Sequence, residues 1–551
     1  MKFDVNFVRP FRGTVFFVEK RKFIFERQKF YVNIELYDTT LRDGAQYEGI
    51  SFSAGDKITV AKSLDELGVH YIEGGWPGSN PKDAEFFELA KTVDFQNSTL
   101  VAFGSTRRAD MNVADDPQIN SLLSADTTVV TLVGKAWDLH VTEVLETSLE
   151  ENLAMISDSV SYLVEKGKRV FFDAEHFFDG YRNNPEYAVR VLEEASMSGA
   201  ECVILCDTNG GFIPSDISEV VKRVNSFVDV RFGIHTHNDA DMAVAGSLAA
   251  IDAGVTQVQG TINGYGERCG NANLVSVIAN LKLKKGVDCI SDKQLGTLTE
   301  VSRIVAEIAN MPPPSGLPFV GATAFAHKGG IHASAVAKVE QSYQHIPPEV
   351  VGNTNRILVS ELSGRSNIIM KTQERMGVTL DKSQARLLLE EVKEKENQGF
   401  QYEGAEASFE LLVTRLLPGY RPAFSLVDFV TVVERRINSE NDKPTSQVML
   451  KVSVKGEELH TAADGNGPVN ALDHALRKAL LNFYPDLEIV RLIDYKVRVV
   501  EQHTGTGAIV RVLLESTDGD MTWTTVGSSE NVIEASWMAL SDSMEWWLAR
   551  H

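Results

Sequence analysis

Cysteine and basic residues are scarce in this chain, and long apolar runs are missing from it. Four cysteines in 551 residues are too few for a disulfide scaffold and fit the reducing cytoplasm. Lys and Arg number 54 against 76 Asp and Glu, which gives a net charge of −22. This acidity argues against nucleic acid or an anionic membrane as the main partner. No apolar run approaches the roughly 20 residues of a membrane-spanning helix. From the few cysteines we expect a cytoplasmic protein.

The first thirty residues differ from the rest, since they mix aromatics with eight basic and three acidic residues. A secretory signal needs an uninterrupted apolar core, and a transit peptide is Ser-rich and nearly free of acids. We expect residues 1–32 to be a poorly ordered extension, or the result of a start codon assigned too early, rather than a targeting signal.

From residue 33 onward, short apolar runs alternate with helical patterns, several of which end on Gly. Each run is apolar nearly throughout, as in a parallel strand that is buried on both faces. Eight such strands alternating with helices predict a (β/α)8 TIM barrel, with a doubly wound open sheet as the alternative. The predicted strands are residues 34–38, 70–75, 99–103, 127–132, 169–175, 202–207, 230–235 and 256–261.

The remainder of the chain predicts two further regions. The segment MPPPSGLP at 311–318 breaks any helix, and helical, charged stretches follow it to about residue 398. Beyond residue 420 strands return, and two related helical segments at 463–480 and 526–544 repeat at an offset of 64. We predict an α/β barrel, helical linker subdomains and an α+β C-terminal domain with an internal duplication. The expected bounds are 33–310, 311–419 and 420–551.

Polar residues gather just past the ends of the predicted strands. In a TIM barrel these positions share one mouth, where active sites lie. An inert scaffold gives no reason for so many polar groups of compatible chemistry at these positions. They are Arg42, Asp43, Glu73, Glu175, Asp207, Thr208, His235, His237, Asn263, Glu267 and Asn271.

The segment HTHND at 235–239 is a candidate metal site. Alternate residues of an extended segment point the same way, so His235 and His237 can face one ion, with Asp43 across the mouth. Two imidazoles and one carboxylate leave about half of an octahedral shell open. By ligand type alone Mg²⁺, Mn²⁺, Zn²⁺ and Fe²⁺ all fit such a site. Iron-dependent oxygenases share this ligand pattern, so redox chemistry stays an alternative.

Arg42 adjoins the proposed ligand Asp43 in TLRDGAQ at 40–46. Its planar, permanently charged guanidinium suits a carboxylate or a developing oxyanion. A 2-oxo acid would satisfy such a site, because its keto and carboxylate oxygens can chelate the ion. Thr208 can donate a hydrogen bond to the substrate carboxylate, or it can simply cap a helix.

Glu175 is a candidate acid, base or orienting group. The alternative is that its carboxylate only holds Arg42. Asn271, in the Gly-rich turn GYGERCGN at 264–271, is a candidate fourth metal or water contact. Cys202 and Cys206 lie within a predicted strand and are expected to be core thiols.

TLRDGAQ, HTHND, GYGERCGN and AFAHKGGIHAS (324–334) together resemble the family of 2-isopropylmalate, homocitrate and citramalate synthases. The resemblance extends over residues 33–551. The segments YDTTLRDGAQYEGISFS, YIEGGWPGSNPKD, YEGAEASFELL and VSELSGRSN are most similar to its citramalate branch. The family combines a metal-dependent barrel with linker subdomains and a C-terminal regulatory domain of LeuA type. That domain binds an end-product amino acid.

The resemblance implies a role for most residues of the mouth. Asp43, His235 and His237 would be the ligands of Mg²⁺ or Mn²⁺, with Zn²⁺ as a further choice and Asn271 as a less certain ligand. Arg42 would stabilise the oxyanion.

Three more residues receive roles from the resemblance alone. Glu175 would position or activate the substrates, and Thr208 would contact the 2-oxo acid. His332 falls where the family places a histidine that reaches the active site of a partner subunit. The tyrosine that isopropylmalate synthases carry shortly before the LSGRS segment has no counterpart here.

The resemblance also implies an activity, the condensation of acetyl-CoA with pyruvate and water to citramalate and CoA. The expected product route is isoleucine biosynthesis, with isoleucine as inhibitor and a homodimer or higher oligomer as the assembly. The paired turns near residues 465 and 529 are candidates for the isoleucine site. Alternatives are the same chemistry on 2-oxoisovalerate or 2-oxoglutarate, an Fe²⁺ oxygenase, or a non-catalytic amino-acid sensor.

Overall fold

An eight-stranded parallel barrel forms the first half of the chain. The computed structural model describes residues 33–551 except 337, 358–364, 435–444 and 501–506, so the expected extension at 1–32 lies outside the described residues. The strands follow one another around the barrel in chain order, and the last strand pairs with the first to close it. Closure confirms the predicted TIM barrel and excludes the open sheet. The strands are β1 (Glu35–Asp38), β2 (Tyr71–Gly75), β3 (Thr99–Ser105), β4 (Val129–Lys135), β5 (Arg169–Glu175), β6 (Cys202–Asp207), β7 (Arg231–Thr236) and β8 (Gln257–Gly260).

Helices connect the strands, three more helices follow the last strand, and local sequence explains where the first helix begins and ends. Ser53 and Asp56 form a reciprocal capping box at the start of the first helix, which ends at Gly68 in the left-handed conformation, φ 87°. The helices are α1 (Ala54–Leu67), α2 (Pro81–Ala90), α3 (Pro117–Ser124), α4 (Leu149–Glu165), α5 (Phe177–Asn183), α6 (Pro185–Met197), α7 (Pro214–Val224), α8 (Ala243–Asp252), α9 (Leu274–Asn280), α10 (Asp292–Leu295) and α11 (Leu298–Ile308).

Apolar side chains fill part of the barrel interior. Tyr37, Tyr71 and Phe171 pack there with the thiols of Cys202 and Cys206. The two cysteines are buried, as predicted, and all four cysteines of the chain are free thiols. A packed interior leaves the ends of the strands as the place for polar chemistry.

Helical segments and two short strands follow the barrel. Three of the helices pack around a core that includes Ile368, Leu388 and Phe409. The elements are β9 (Ala326–His327), α12 (Gly330–Val336), β10 (Arg356–Ile357), α13 (Arg365–Met376), α14 (Lys382–Asn397) and α15 (Glu406–Leu416).

The C-terminal region is built from two similar halves. Each half is a three-stranded antiparallel sheet followed by a helix, and the first strand of each carries one register shift. The Thr461 hydroxyl donates to the carbonyl of Ala475, and the Thr525 hydroxyl donates to that of Ala539, 64 residues later in both cases. The predicted duplication is thereby confirmed. The elements are β11 (Phe424–Glu434), β12 (Thr445–Val454), β13 (Glu457–Gly465), α16 (Pro468–Leu480), β14 (Arg491–Val499), β15 (Val510–Thr517), β16 (Thr522–Ser529) and α17 (Val532–Leu548).

The chain divides into two compact units. One unit contains residues up to 295 together with 301–312, and the other contains 296–300 together with 313–551. The domain bounds at 310 and 419 stay predictions. Among the described helices, none combines the length and the hydropathy that crossing a membrane requires.

Candidate active site and metal centre

A cavity of about 520 Å³ lies at the C-terminal ends of the barrel strands. Polar residues that the sequence placed at this mouth enter it from five different strand ends. The structure therefore brings together most of the predicted site. The predicted residues that line the cavity are Arg42, Asp43, Glu175, Thr208, His235, His237 and Glu267.

Asp43, His235 and His237 form one cluster that can hold a metal ion. One ligand atom from each lies within 4.8 Å of the others, and all three residues are buried. The Nε2 atoms of the two histidines are 3.3 Å apart. They lie 3.5 and 3.9 Å from Oδ2 of Asp43, respectively. These distances place one carboxylate oxygen and two imidazole nitrogens around a single point.

Asn271 belongs to the same cluster. Its Nδ2 lies 3.5 Å from Nε2 of His235, and its backbone bridges to that of His237. Within the described residues its Oδ1 is buried without a hydrogen-bond partner, an unusual and costly state. A half-turn of the amide exchanges nitrogen and oxygen, which brings this acceptor to the cluster. The donor set therefore fits a divalent cation, with Asn271 as an additional ligand.

The charges of the cluster suit metal binding. Burial raises the pKa of Asp43, but the positive charge of Arg42 and the two neighbouring imidazoles outweigh it and hold that pKa well below its usual range. Burial lowers the pKa of His235, and burial together with His235 lowers the pKa of His237 to about 4. Near neutral pH the cluster presents a carboxylate and two neutral imidazoles, which are the forms that ligate metals.

Arg42 is held in place by three contacts. Its Nε donates to Oε1 of Glu73 at 2.5 Å, and Nη1 donates to Oδ2 of Asp43 at 3.3 Å. The guanidinium carbon lies 4.0 Å from the centre of the Phe103 ring. Burial opposes the charge of Arg42, but Glu73 and Asp43 raise its pKa above the usual range. The guanidinium is therefore a fixed positive charge beside the metal cluster.

Glu73, rather than Glu175, orients Arg42, so the alternative role considered for Glu175 is wrong. The Glu73 side chain is fully buried, and its second oxygen accepts a hydrogen bond from the Tyr37 hydroxyl at 2.5 Å. The physical reason is strand order. Glu73 lies on β2, which pairs directly with β1, and Arg42 follows β1 in the chain. The sequence placed Glu73 at the mouth but gave it no partner.

Glu175 pairs instead with Lys135, a residue that sequence reasoning missed. Their side chains form an ion pair, and the two residues are direct partners in the register of β4 and β5. The signal that could have found Lys135 is its position at the end of the fourth strand. The pair leaves the Glu175 carboxylate at the cavity wall with a fixed neighbour.

Thr208 follows β6, the strand next to β5, which ends in Glu175. Its hydroxyl oxygen accepts a hydrogen bond from the backbone N–H of His176 at 2.9 Å. Arg268, which is not among the predicted site residues, donates to the Thr208 carbonyl at 2.6 Å and pairs with Asp239. These contacts hold the hydroxyl at the cavity.

His332 lies in the second unit, on α12, where its ring stacks on Tyr343 with centroids 4.1 Å apart. Its side chain is exposed. The structure does not test whether it reaches the active site of another subunit, so its role stays a prediction.

Three family models match consecutive parts of the chain. The model described as HMGL-like matches residues 33–305, the barrel with the site. The model of a homocitrate synthase post-HMGL domain matches residues 319–399, and that of a LeuA allosteric (dimerisation) domain matches residues 403–548. This order agrees with the family whose motifs the sequence resembles.

Similar proteins match almost the whole chain. An (R)-citramalate synthase of Aquifex aeolicus is 55% identical over 93% of this chain and 97% of its own length. A second, of Geobacter sulfurreducens, is 52% identical with the same coverage. A probable 2-isopropylmalate synthase of Methanopyrus kandleri is 33% identical over 91% of this chain and 96% of its own. The motifs, the barrel with its metal cluster and these relatives together show that the chain belongs to the (R)-citramalate synthase family.

Proposed function

We propose that this protein condenses acetyl-CoA with pyruvate and water to give (R)-citramalate and CoA. The observation that carries the proposal is a single cavity that holds the Asp43, His235 and His237 cluster beside a guanidinium fixed by Glu73. Such a site can bind a small 2-oxo acid and stabilise negative charge on its keto oxygen. The similar (R)-citramalate synthases favour pyruvate as that acid.

Asp43, His235 and His237, with Asn271 as an additional ligand, would hold a divalent ion. The expected ion is Mg²⁺ or Mn²⁺, with Zn²⁺ as the alternative. When bound, the ion supplies Lewis acidity that polarises the keto group of the substrate.

Arg42 acts where charge develops. As the acetyl carbon forms its bond to the keto carbon, the keto oxygen gains negative charge that the guanidinium can stabilise. Because Glu73 and Phe103 hold Arg42 before substrate arrives, little reorganisation is needed during the reaction.

The acetyl methyl group must lose a proton before the new carbon–carbon bond forms. We assign Glu175, paired with Lys135 at the cavity wall, to positioning or activating the substrates for this step. Thr208 accepts from His176 and keeps its own O–H to donate to the pyruvate carboxylate. Water then cleaves the thioester and CoA leaves. His332 is proposed to act at the active site of a second subunit.

The C-terminal region, with proposed bounds 420–551, is assigned to regulation and assembly. The LeuA allosteric (dimerisation) match over residues 403–548 supports this role. Isoleucine is the proposed inhibitor, with the turns at Gly465 and Ser529 as its candidate site, and the assembly is a homodimer or a higher oligomer. Inhibition by leucine but not by isoleucine would reject the effector.

The test is release of free thiol from acetyl-CoA with a panel of 2-oxo acids, with and without a chelator. We expect pyruvate to give the highest kcat/KM, and the chelator to abolish turnover. A higher kcat/KM with 2-oxoisovalerate would identify a 2-isopropylmalate synthase instead, in line with the Methanopyrus relative. Oxygen uptake with Fe²⁺ and a 2-oxo acid, without thiol release, would contradict a condensing enzyme.

A further inference from the structure

A chain of three buried side chains leads from the barrel interior to the metal cluster. Oε1 of Gln259 lies 2.8 Å from Nδ1 of His235, and Nε2 of Gln259 donates to Oδ1 of Asp173 at 3.1 Å. Exposure of the three residues is between 0% and 5%. Water therefore does not compete for these hydrogen bonds, and the residues themselves must satisfy one another.

The hydrogen-bond donors and acceptors of Asp173, Gln259 and His235 match in one orientation of the Gln259 amide. The Gln259 amide has a donor end and an acceptor end, and Oδ1 of Asp173 accepts from the donor end. When the Gln259 NH₂ group faces Asp173, its carbonyl oxygen faces His235. Nδ1 of His235 must then carry the hydrogen, which leaves the lone pair of Nε2 directed at Asp43 and His237.

The opposite orientation would disable the site. If the Gln259 NH₂ group faced His235, Nδ1 would have to accept and Nε2 would carry the hydrogen. A protonated Nε2 cannot ligate a metal. The direction of one amide therefore decides whether His235 is a ligand.

We propose that Gln259, oriented by Asp173, is the positioning residue that holds His235 in its metal-binding tautomer. The inference rests on the proposed metal site and extends it to two residues to which no role had been given. Partners of this kind raise the basicity and fix the ring orientation of a ligating histidine. Within the described residues His237 lacks such a partner at Nδ1, so the effect should be specific to His235.

The same strand offers a matched control. Gln257 lies two residues before Gln259 on β8, so its side chain points to the same face. It is fully buried, and neither its amide oxygen nor its nitrogen has a hydrogen-bond partner among the described residues. Gln257→Leu therefore removes the same group from the same strand without disturbing the hydrogen bonds that link Asp173, Gln259 and His235.

The experiment titrates the metal-stripped full-length protein with Mn²⁺ and measures the Kd by calorimetry. Gln259→Leu should raise the Kd about 10- to 100-fold, whereas Gln257→Leu should leave it unchanged. Gln259→Glu should retain affinity, because a carboxylate at this position still accepts from Nδ1 of His235. NMR of the imidazole nitrogens should show the Nδ1–H tautomer in the wild type and lose it in Gln259→Leu.

A double-mutant cycle separates orientation from charge. Asp173→Asn should weaken Mn²⁺ binding in the wild-type background, because an amide at position 173 tolerates both directions of Gln259. In the Gln259→Glu background the same change should not weaken binding, because the carboxylate at 259 accepts from Nδ1 of His235 whichever way the new amide at 173 faces, and the repulsion between two buried carboxyl groups is relieved. Equal weakening in both backgrounds would show that Asp173 acts through its charge and would overturn the proposal.

Three further outcomes would also overturn it. Wild-type Kd in a folded Gln259→Leu variant, or equal loss in Gln257→Leu, would remove Gln259 from the metal site while leaving that site intact. Failure of the wild type itself to bind Mn²⁺ would refute the metal centre together with this inference. Thermal unfolding of each variant shows whether it is folded.

Discussion

Replacing Arg42 with lysine keeps the positive charge but removes the planar guanidinium. The guanidinium contacts Glu73 at 2.5 Å and Asp43 at 3.3 Å while lying 4.0 Å from the Phe103 ring centre. A lysine ammonium is a point donor on a flexible stem and cannot make these contacts and meet the oxyanion at once.

The expected loss of kcat follows from the hydrogen bonds that lysine cannot make. A hydrogen bond to a charged group contributes about 1.5–3 kcal/mol. Losing one such bond in the transition state lowers kcat by about 10- to 160-fold, at 1.36 kcal/mol per factor of ten. Because the interaction grows only as charge develops, kcat and kcat/KM should fall together.

The assay is steady-state thiol release from acetyl-CoA with pyruvate as acceptor. The matched control is Arg223→Lys on α7, an exposed residue paired with Glu219 one helical turn away. This variant should turn over like the wild type. Wild-type kcat in Arg42→Lys would remove Arg42 from the chemistry and refute the reasoning.

Two further perturbations test other parts of the structure. Lys135→Met removes the ion-pair partner of Glu175, and we expect kcat to fall about tenfold in the thiol assay, with the protein still folded. An unchanged kcat would show that Glu175 acts without Lys135. Glu406→Gln removes a carboxylate that Lys371 and Arg375 each approach to 2.9 Å. Burial raises the pKa of Glu406, but Lys371 and Arg375 outweigh burial and lower it. The ion pairs therefore stabilise the fold above the unfolded pKa of about 4.3, and this stabilisation is lost as pH falls through the lowered folded pKa. Denaturant unfolding should show a deficit of about 1–3 kcal/mol for Glu406→Gln at neutral pH that disappears in acid, and a deficit independent of pH would contradict this origin.

The barrel could be predicted from sequence because its signal is local. A parallel strand covered on both faces is apolar throughout, and a capped helix ending on glycine marks the gap between strands. All eight predicted strands end within three residues of the observed ends, and the largest difference is at β4, which ends three residues beyond its prediction. The segments HTHND and TLRDGAQ could be assigned to one mouth because strand ends in a barrel converge.

The partners within the site could not be predicted, because they depend on which strands are neighbours and in what register. Arg42 contacts Glu73 because β1 and β2 are adjacent, whereas Glu175 lies four strands away. Lys135 meets Glu175 through the register of β4 and β5. Sequence motifs indicate which side chains belong to a site, but contacts between side chains of different strands follow only from the closed barrel.

The sharpest test is the anomalous diffraction of a crystal of the full-length protein grown with Mn²⁺. We predict a peak enclosed by the carboxylate of Asp43 and the Nε2 atoms of His235 and His237. A bound manganese elsewhere, with these three side chains still hydrogen-bonded only to protein groups, would contradict the proposed centre and the chemistry assigned to it.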